Sequence, residues 1–189
     1  RESDCNGIMF DKYYCVGWMK RFTEIMCDMY SNKIRNPMST IVIRPGNCYG
    51  EYDDFEYETA HVIPSLIRKA VEKCDPFEVW GDGQDIKDFI YVGDIVDGIL
   101  LAIDKLDCCP AINIAGGKSY SIKQILQCVF DSSGFYPDVY FDASKPSMIP
   151  ERYIDITYAA EKIGFEPKTS LQEGIRKTYD WYKSKASIC

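Results

Sequence analysis

The sequence lacks the features of a membrane protein and of a nucleic-acid-binding protein. Its longest strongly apolar run, residues 99–103, is far shorter than the roughly 20 residues that span a bilayer. Basic residues are in deficit, since 22 Lys and Arg stand against 29 Asp and Glu, for a formal net charge of −7. A protein that follows a phosphate backbone would work against this charge. The composition therefore predicts neither a membrane partner nor a nucleic-acid partner.

The sequence is also poor in metal-ligand patterns. It has one histidine and nine cysteines, and no spacing among them resembles a zinc site. Only Cys108 and Cys109 form a close pair. This pattern predicts no metal site and is typical of a reduced, cytoplasmic protein with single, mostly buried thiols. We interpret the acidic stretch at 51–58 as a solvated surface loop rather than a metal site, because no ligand spacing repeats in it.

Helical and strand patterns alternate along the chain. They predict helices at 16–31, 62–73, 95–106, 122–133, 157–163 and 171–183, strands at 38–43, 77–80, 89–92, 111–115 and 138–141, and a turn-rich segment at 44–50. Asp94 and Ser121 are candidate N-caps, and Gly134 is a candidate stop signal. The alternation predicts an α/β fold with a mostly parallel sheet that helices cover on both faces.

One expected signature of a dinucleotide-binding sheet is absent. A glycine-rich turn usually follows the first strand, where backbone amides at a helix N-terminus hold the pyrophosphate. Neither G-x-G-x-x-G nor G-x-x-G-x-x-G occurs in the 189 residues.

Several sequence blocks, taken in order, carry a family resemblance. They lie at 17–24 (GWMKRFTE), 44–50 (RPGNCYG), 61–64 (HVIP), 79–83 (VWGDG), 88–94 (DFIYVGD) and 144–146 (SKP). Together they resemble the extended short-chain dehydrogenases/reductases of the sugar-nucleotide epimerase/dehydratase group, and most closely its GDP-fucose synthase branch. The resemblance spans essentially the whole chain and implies a Rossmann-like, doubly wound parallel sheet with a small substrate-binding region.

The resemblance implies that the chain is about the C-terminal half of a family member. Residues 1–50 would be the end of the Rossmann core with the active-site helix, and 51–189 mainly the substrate-binding region, with about 89–115 returning to the core. Complete members bind NAD or NADP in the N-terminal part and a nucleotide sugar in the C-terminal part. They commonly form homodimers, and the resemblance implies that the helix at 16–31 contributes to the dimer contact of the intact protein. We therefore expect the 189 residues alone to bind NAD(P) weakly or not at all.

The active-site helix of the family carries Tyr-x-x-x-Lys, a spacing that places both side chains on one face, about 6 Å apart along the axis. Lys20 matches the lysine, which in the family contacts the nicotinamide ribose; otherwise it is an ordinary exposed lysine. Val16 stands where the tyrosine is expected. Tyr14 lies on another face. Tyr13 is on the right face of an ideal helix, but it lies about 10.5 Å along the axis from Lys20, and we expect it to precede the helix. The chain thus departs from the family at its central acid/base.

The only histidine, His61, is the second candidate for proton transfer. Its place in His-Val-Ile-Pro matches a histidine that in GDP-fucose synthases lies beside the nicotinamide and serves as a general acid. A free imidazole titrates at about pH 6.5, so such a group delivers a proton near neutral pH. The alternative is a helix-cap or loop histidine.

The resemblance also assigns substrate and cofactor contacts. Asn47 matches the asparagine of R-P-x-N-x-Y-G that faces the sugar or its diphosphate, and Pro45 would lie near the nicotinamide. Trp80 would either stack on the substrate or belong to the core. Lys87 replaces a phosphate-binding arginine of many relatives, which keeps the charge but loses the bidentate fork.

Two further basic residues are weaker matches. Arg152 is displaced by one position from another family arginine, whose place Glu151 occupies. Lys69 lies in the helix after His61, at a position that is often basic in this branch. Both are candidate substrate-binding residues.

Two functions follow from these residues. The first is an NAD(P)-dependent epimerase, dehydratase or reductase that acts on a nucleotide sugar, with a GDP-sugar favoured. The second is a nucleotide-sugar-binding homologue that has lost catalysis and acts as a partner or regulator. Lys20, Asn47 and His61 favour the enzyme, whereas Val16 favours the binder.

Overall fold

The structure is a computed structural model that describes residues 1–107, 111–145 and 149–186. The Cys108–Cys109 pair and Pro146 lie outside these residues. The elements in chain order are α1 (Tyr14–Asn32), β1 (Val42–Pro45), β2 (Asn47–Tyr49), α2 (Val62–Val71), β3 (Phe77–Trp80), β4 (Ile86–Tyr91), α3 (Val92–Lys105), β5 (Ala111–Ile114), β6 (Ser119–Ser121), α4 (Ile122–Ser133), β7 (Val139–Asp142), α5 (Thr157–Ile163) and α6 (Leu171–Ala186).

Most strand pairs of the described residues are parallel. β1 pairs with β5, β2 with β4, and β3 with β7 in parallel, whereas β4 and the short β6 are antiparallel. Parallel pairs need helical crossovers, and these bring helices onto the strands. The predicted α/β fold with mostly parallel pairing is therefore confirmed.

The buried residues form two clusters. In the first, side chains of α2, α4 and α6 pack with those of β2, β3 and β4, and Ile67, Phe77 and Ile125 are fully buried. In the second, α3 and α5 cover β5, with Ile112 and Ile163 fully buried. The expected division of the chain at residue 50 stays a prediction.

The sequence correctly locates both ends of α4. The Ser121 hydroxyl accepts a hydrogen bond from the backbone N–H of Gln124 at 3.2 Å, and the Gln124 side chain accepts one from the Ser121 N–H at 2.8 Å. This reciprocal pair is a capping box. Gly134 ends the helix at φ 67°, in the left-handed region that suits glycine.

Asp94 is not an N-cap, which corrects the prediction. The N-cap of α3 is Tyr91, so the helix begins at Val92, a residue that the sequence pattern places in the preceding strand. The Asp94 carboxylate instead accepts the backbone N–H groups of Lys168 and Thr169, at 3.2 and 2.9 Å. It therefore ties α3 to the loop before α6.

The strand expected at 38–43 begins only at Val42. Its first residues are bonded to α1: the Met38 N–H donates to the Tyr30 carbonyl at 3.1 Å, and the Thr40 hydroxyl donates to the Cys27 carbonyl at 3.2 Å. These bonds hold the segment against the end of the helix and away from a strand ladder.

The segment expected to be turn-rich, 44–50, contains the end of β1 and all of β2. The two strands are separated at Gly46, whose N–H donates to the Ile114 carbonyl at 2.8 Å. A Cβ at this position would lie 3.0 Å from that of Ala115, so the backbone approaches β5 closely where only glycine fits well. The three-residue β6 has no predicted counterpart.

The predicted amphipathic helix is present as α1, but none of its residues is buried. Its apolar side chains, including Trp18, Phe22 and Ile25, are exposed. The helix is joined to β1 by a bidentate ion pair in which the Arg44 guanidinium donates to both carboxylate oxygens of Glu24, at 2.7 and 2.8 Å. This contact lowers the pKa of Glu24. Homodimer formation through α1 stays a prediction.

The described cysteines are free thiols, as expected, but they are exposed or half-buried; these are Cys5, Cys15, Cys27, Cys48, Cys74 and Cys128. The prediction of mostly buried thiols is therefore wrong for these six. The described residues contain no group of three or more His, Cys, Asp or Glu that would hold a metal ion. None of the described helices is long and apolar enough to cross a membrane.

Gly174→Ala is expected to destabilise the fold, although alanine is the better helix former. In an exposed helix the change would stabilise by about 0.5–1 kcal/mol. Here an added Cβ would meet the hydroxyl of buried Tyr49 and lie 2.9 Å from its Cζ. Overpacking of this kind costs about 1–3 kcal/mol. The free energy of unfolding from urea titration measures the effect.

The matched control is Gly7→Ala, because Gly7 is exposed, has φ −81°, and has the Asp4 carbonyl oxygen, at 3.6 Å, as the nearest neighbour of an added Cβ. An unfolding free energy that rises in Gly174→Ala would contradict the expected clash.

Candidate functional site

A cavity of about 920 Å³ brings together side chains from six separate segments. Its lining includes five of the predicted site residues, namely Asn47, His61, Trp80, Lys87 and Arg152. They come from β2, the start of α2, β3, β4 and the segment before α5. Residues that are 105 positions apart in sequence therefore share one surface.

Asn47 lines the cavity, and two hydrogen bonds hold its side chain. Its side-chain amide donates to the backbone carbonyl of Asp88 at 2.6 Å, and its Oδ1 accepts a hydrogen bond from Arg152 Nη1 at 3.3 Å. The Arg152 backbone N–H donates to the Ile86 carbonyl at 2.9 Å, which holds Arg152 beside β4. The amide and the guanidinium thus form one polar unit.

Lys87 and Trp80 provide a second cation and an aromatic surface. The Lys87 ammonium lies 3.0 Å from a carboxylate oxygen of Asp85, and its side chain is 23% exposed. Trp80 is 62% exposed, and the Lys145 ammonium lies 5.5 Å from the centroid of its ring. The interpretation of Trp80 as a core residue is therefore wrong.

His61 occupies the N-cap position of α2, but its side chain makes no capping hydrogen bond. Its backbone carbonyl accepts the Ser65 N–H at 3.0 Å, so the main chain begins the helix. The imidazole is exposed and borders the cavity. The helix-cap alternative thus holds for the backbone of His61 and not for its side chain.

Three predicted residues do not line the cavity. Lys20 is exposed on α1, and Pro45 is exposed at the end of β1, next to the lining residue Gly46. The Lys69 ammonium donates to the backbone carbonyl of Glu78 at 2.7 Å, and burial lowers the pKa of Lys69. Lys69 therefore holds α2 against β3.

The cavity also contains residues that the sequence interpretation did not assign. Tyr13 lines it, because α1 begins at Tyr14 and a 3₁₀ turn, Asp11–Tyr13, precedes the helix. Tyr13 precedes the helix, as expected, so the distance along an ideal helix does not describe where its side chain lies. Asp53, within the acidic stretch taken as solvated, lines the cavity as well. Val16 is 51% exposed and lies outside the lining.

This arrangement combines three chemical functions. The cations of Lys87 and Arg152 and the amide of Asn47 suit an anionic oxygen-rich group such as a diphosphate. The exposed face of Trp80 suits a planar ring. His61 is a proton donor or acceptor at the border of the same cavity.

The chain matches the model of the NAD dependent epimerase/dehydratase family over residues 14–115. It is 32% identical over 161 residues to "Probable GDP-L-fucose synthase 1" of Oryza sativa subsp. japonica, covering 83% of this chain and 48% of the relative. It is 33% identical over 147 residues to the GDP-L-fucose synthase of Sinorhizobium fredii, covering 76% and 46%. The chain thus spans about half the length of these relatives.

Two solved epimerase structures are also similar to this chain. The UDP-glucose 4-epimerase of Thermotoga maritima, solved with UDP-glucose, has a TM-score of 0.79 and 26% identity, over 92% of this chain and 54% of that protein. The UDP-N-acetylglucosamine 4-epimerase of Methanobrevibacter ruminantium, solved with UDP-N-acetylmuramic acid, has a TM-score of 0.81 and 26% identity, over 89% and 53%. The chain belongs to the NAD dependent epimerase/dehydratase family.

Proposed function

We propose that this chain forms the substrate-binding side of an NAD(P)-dependent nucleotide-sugar epimerase or reductase. The observation that carries the proposal is the single cavity in which His61 lies with the anion-binding set of Asn47, Lys87 and Arg152. The relatives named GDP-L-fucose synthase favour a GDP-sugar as the substrate.

In this function the polar unit of Asn47 and Arg152 holds the diphosphate, and Lys87 adds charge. Lys87 already pairs with Asp85, and a paired cation binds an added anion less strongly than an unpaired cation does. Arg152 uses one N–H group to bond Asn47, and its other N–H donors remain available for the diphosphate. Trp80 offers its exposed face to the base or the sugar. These contacts position the sugar ring beside His61.

His61 then acts on a carbon next to the sugar carbonyl. As a neutral imidazole it removes a proton from that carbon, so a C–H bond breaks and an N–H bond forms. As an imidazolium it returns a proton to that carbon, so the N–H bond breaks and a C–H bond forms. The configuration inverts when the sugar turns its opposite face toward His61 between the two steps. The ring finishes in the state in which it began, and no electrons are gained or lost.

A bound nicotinamide would supply hydride transfer to or from the sugar. The exposed His61 imidazole makes no capping hydrogen bond and borders the cavity, so it is free to contact a nicotinamide ring there. Pro45, His61 and Lys20 are the residues of this chain that would contact it. The sequence contains no glycine-rich pyrophosphate turn.

Arg152→Ala is expected to raise the Kd for a nucleoside diphosphate sugar by about 10-fold, because a charge-assisted hydrogen bond contributes roughly 1.5 kcal/mol or more. Isothermal calorimetry with GDP and with a GDP-sugar measures it. Arg176→Ala is the control, since Arg176 is exposed on α6 and does not line the cavity. Equal affinities for the two variants would contradict the diphosphate role.

The direct test is turnover by the intact protein that contains this chain, with GDP- and UDP-sugars and with NAD and NADP. Turnover with one nucleotide sugar supports the enzyme and identifies the base and the cofactor. Binding of a nucleotide sugar without turnover would contradict it.

The second candidate function is a binding homologue without catalysis, and Val16 favours it. The aliphatic side chain has no proton to exchange where the family has its tyrosine. In that case the cavity would still hold the nucleotide sugar, because Asn47, Lys87 and Arg152 do not depend on Val16.

A further inference from the structure

Asp53 carries a buried carboxylate oxygen that the proposed function does not yet use. Its Oδ1 accepts the backbone N–H of Asp54 at 2.8 Å. Its Oδ2 is buried and has no hydrogen-bond partner among the described residues. A buried carboxylate oxygen without a hydrogen bond lowers the stability of the fold, so it indicates a transient hydrogen-bond partner or a role in the site.

The loop that carries Asp53 is held by contacts on both sides. Tyr52 has φ 67°, a left-handed conformation that is uncommon for a non-glycine residue. Its ring packs against Trp181 with the centroids 4.8 Å apart. The Asp53 N–H donates to the Gly50 carbonyl at 3.4 Å. The Asp53 side chain is therefore placed by the fold at the border of the cavity.

Asp53 and His61 line the same cavity and interact electrostatically. Burial raises the pKa of Asp53, and the positive charge of His61 acts in the opposite direction. A carboxylate beside an imidazole orients the ring and stabilises its protonated form. The remaining charged groups of the cavity lining are Glu51, Lys87 and Arg152.

The neighbouring carboxylate of Asp54 differs in its surroundings. It is exposed, its Oδ1 accepts the Glu56 N–H at 2.9 Å, and hydrogen bonds from the Thr59 side chain and the Glu56 N–H lower the pKa of Asp54. It does not line the cavity. Asp54 is thus occupied in shaping the loop, and it provides a matched comparison for Asp53.

We propose that Asp53 is a positioning residue for His61. The free carboxylate oxygen makes no hydrogen bond to His61 in the structure. When the ring turns toward Asp53, this oxygen accepts an imidazole N–H, orients the ring toward the substrate and stabilises the imidazolium form that returns the proton. The inference rests on the proposed function, since it assigns Asp53 a part in the proton transfer by His61.

The first experiment compares Asp53→Asn with Asp54→Asn in the intact protein that contains this chain. Asp53→Asn is expected to lower kcat by about 10- to 100-fold, the worth of one charge-assisted hydrogen bond, with KM unchanged. Asp54→Asn is expected to leave kcat near the parent value. In a His61→Gln background, Asp53→Asn should cause no further loss of kcat, because the effects of substitutions at two coupled residues do not add.

The second experiment uses the 189-residue chain and needs no turnover. Because the sequence has one histidine, its ring protons give a single set of NMR resonances. At a fixed pH near neutrality, Asp53→Asn is expected to move these resonances, and Asp54→Asn to move them far less. Backbone spectra that overlay outside the loop show that both variants are folded.

The outcomes separate the two proposals. Loss of turnover in His61→Gln without loss in Asp53→Asn would overturn the positioning role alone. Unchanged turnover in both variants would overturn the positioning role together with the proposed function. Unmoved His61 resonances in a folded Asp53→Asn variant would overturn the positioning role whatever the turnover.

Discussion

His61→Ala is expected to lower turnover of the intact protein by roughly 10²- to 10⁴-fold, the usual contribution of a positioned proton-transfer group. The imidazole is free of capping hydrogen bonds, is exposed, and borders the cavity that Asn47, Lys87 and Arg152 also line. Alanine removes the only histidine while leaving the N-cap backbone bond to Ser65 in place. Steady-state kinetics with the substrate identified by the turnover assay measures the loss.

The affinity for the nucleotide sugar should change little in His61→Ala, because the proposed diphosphate contacts lie on Asn47, Lys87 and Arg152. Glu58→Ala, an exposed position in the same loop, is the control and should keep full turnover. Turnover unaffected by His61→Ala would contradict the assignment of His61 as the acid/base group.

Val16→Tyr then distinguishes the two candidate functions. In an enzyme that uses His61, a tyrosine at this position should do little or cause harm. In a binder that has lost catalysis, turnover is absent at the start, and the new phenol lies one helical turn from Lys20, which would lower its pKa and favour some hydride transfer.

Asp88→Asn is expected to flatten the pH dependence of stability. Asp88 is fully buried, and its Oδ1 accepts the Gly116 N–H at 2.8 Å, whereas its Oδ2 is buried with no hydrogen-bond partner among the described residues. Burial raises the pKa of Asp88 from 3.8 to about 6. The folded protein therefore holds a proton here that the unfolded chain has released.

The direction in which stability changes with pH follows from proton binding. Between about pH 4 and pH 6 the folded state binds more protons at this site than the unfolded state, so stability falls as the pH rises through this range. The rise in the pKa of Asp88 corresponds to about 3 kcal/mol in the free energy of unfolding. Relative to Asp88→Asn, which cannot ionise, the parent should lose about 2–3 kcal/mol between about pH 4 and pH 7.

Urea unfolding at several pH values measures this difference. Asp180→Asn, on the exposed side of α6, is the control and should keep the parent's profile. Parallel profiles for the parent and Asp88→Asn would contradict the buried titration. The backbone carbonyl of Asp88 also accepts the Asn47 amide, so the nucleotide-sugar affinity of the folded Asp88→Asn variant reports whether β4 still positions the cavity.

The sequence alone determined the features that depend on short-range chemistry. Helical periodicity located α2, α4 and α6 to within a few residues, because an apolar stripe repeats with the helical turn. Ser121 and Gly134 were recognised as the ends of α4, because capping acts over three or four residues. The ordered motifs identified the family, and they named five residues that share the cavity.

Only the tertiary structure decided the features that depend on residues far apart in the chain. Asp94 resembles an N-cap by its neighbours, yet its carboxylate bonds to backbone groups more than 70 positions away. Gly174 is an unfavourable residue for a helix by its intrinsic propensity, yet its lack of a side chain leaves room for Tyr49. Asp53 belongs by composition to a solvated acidic stretch, yet one of its oxygens is buried beside the cavity of His61. The local sequence pattern indicates which secondary structure a segment prefers. The burial of a side chain and its hydrogen-bond partners are decided only when distant segments pack together.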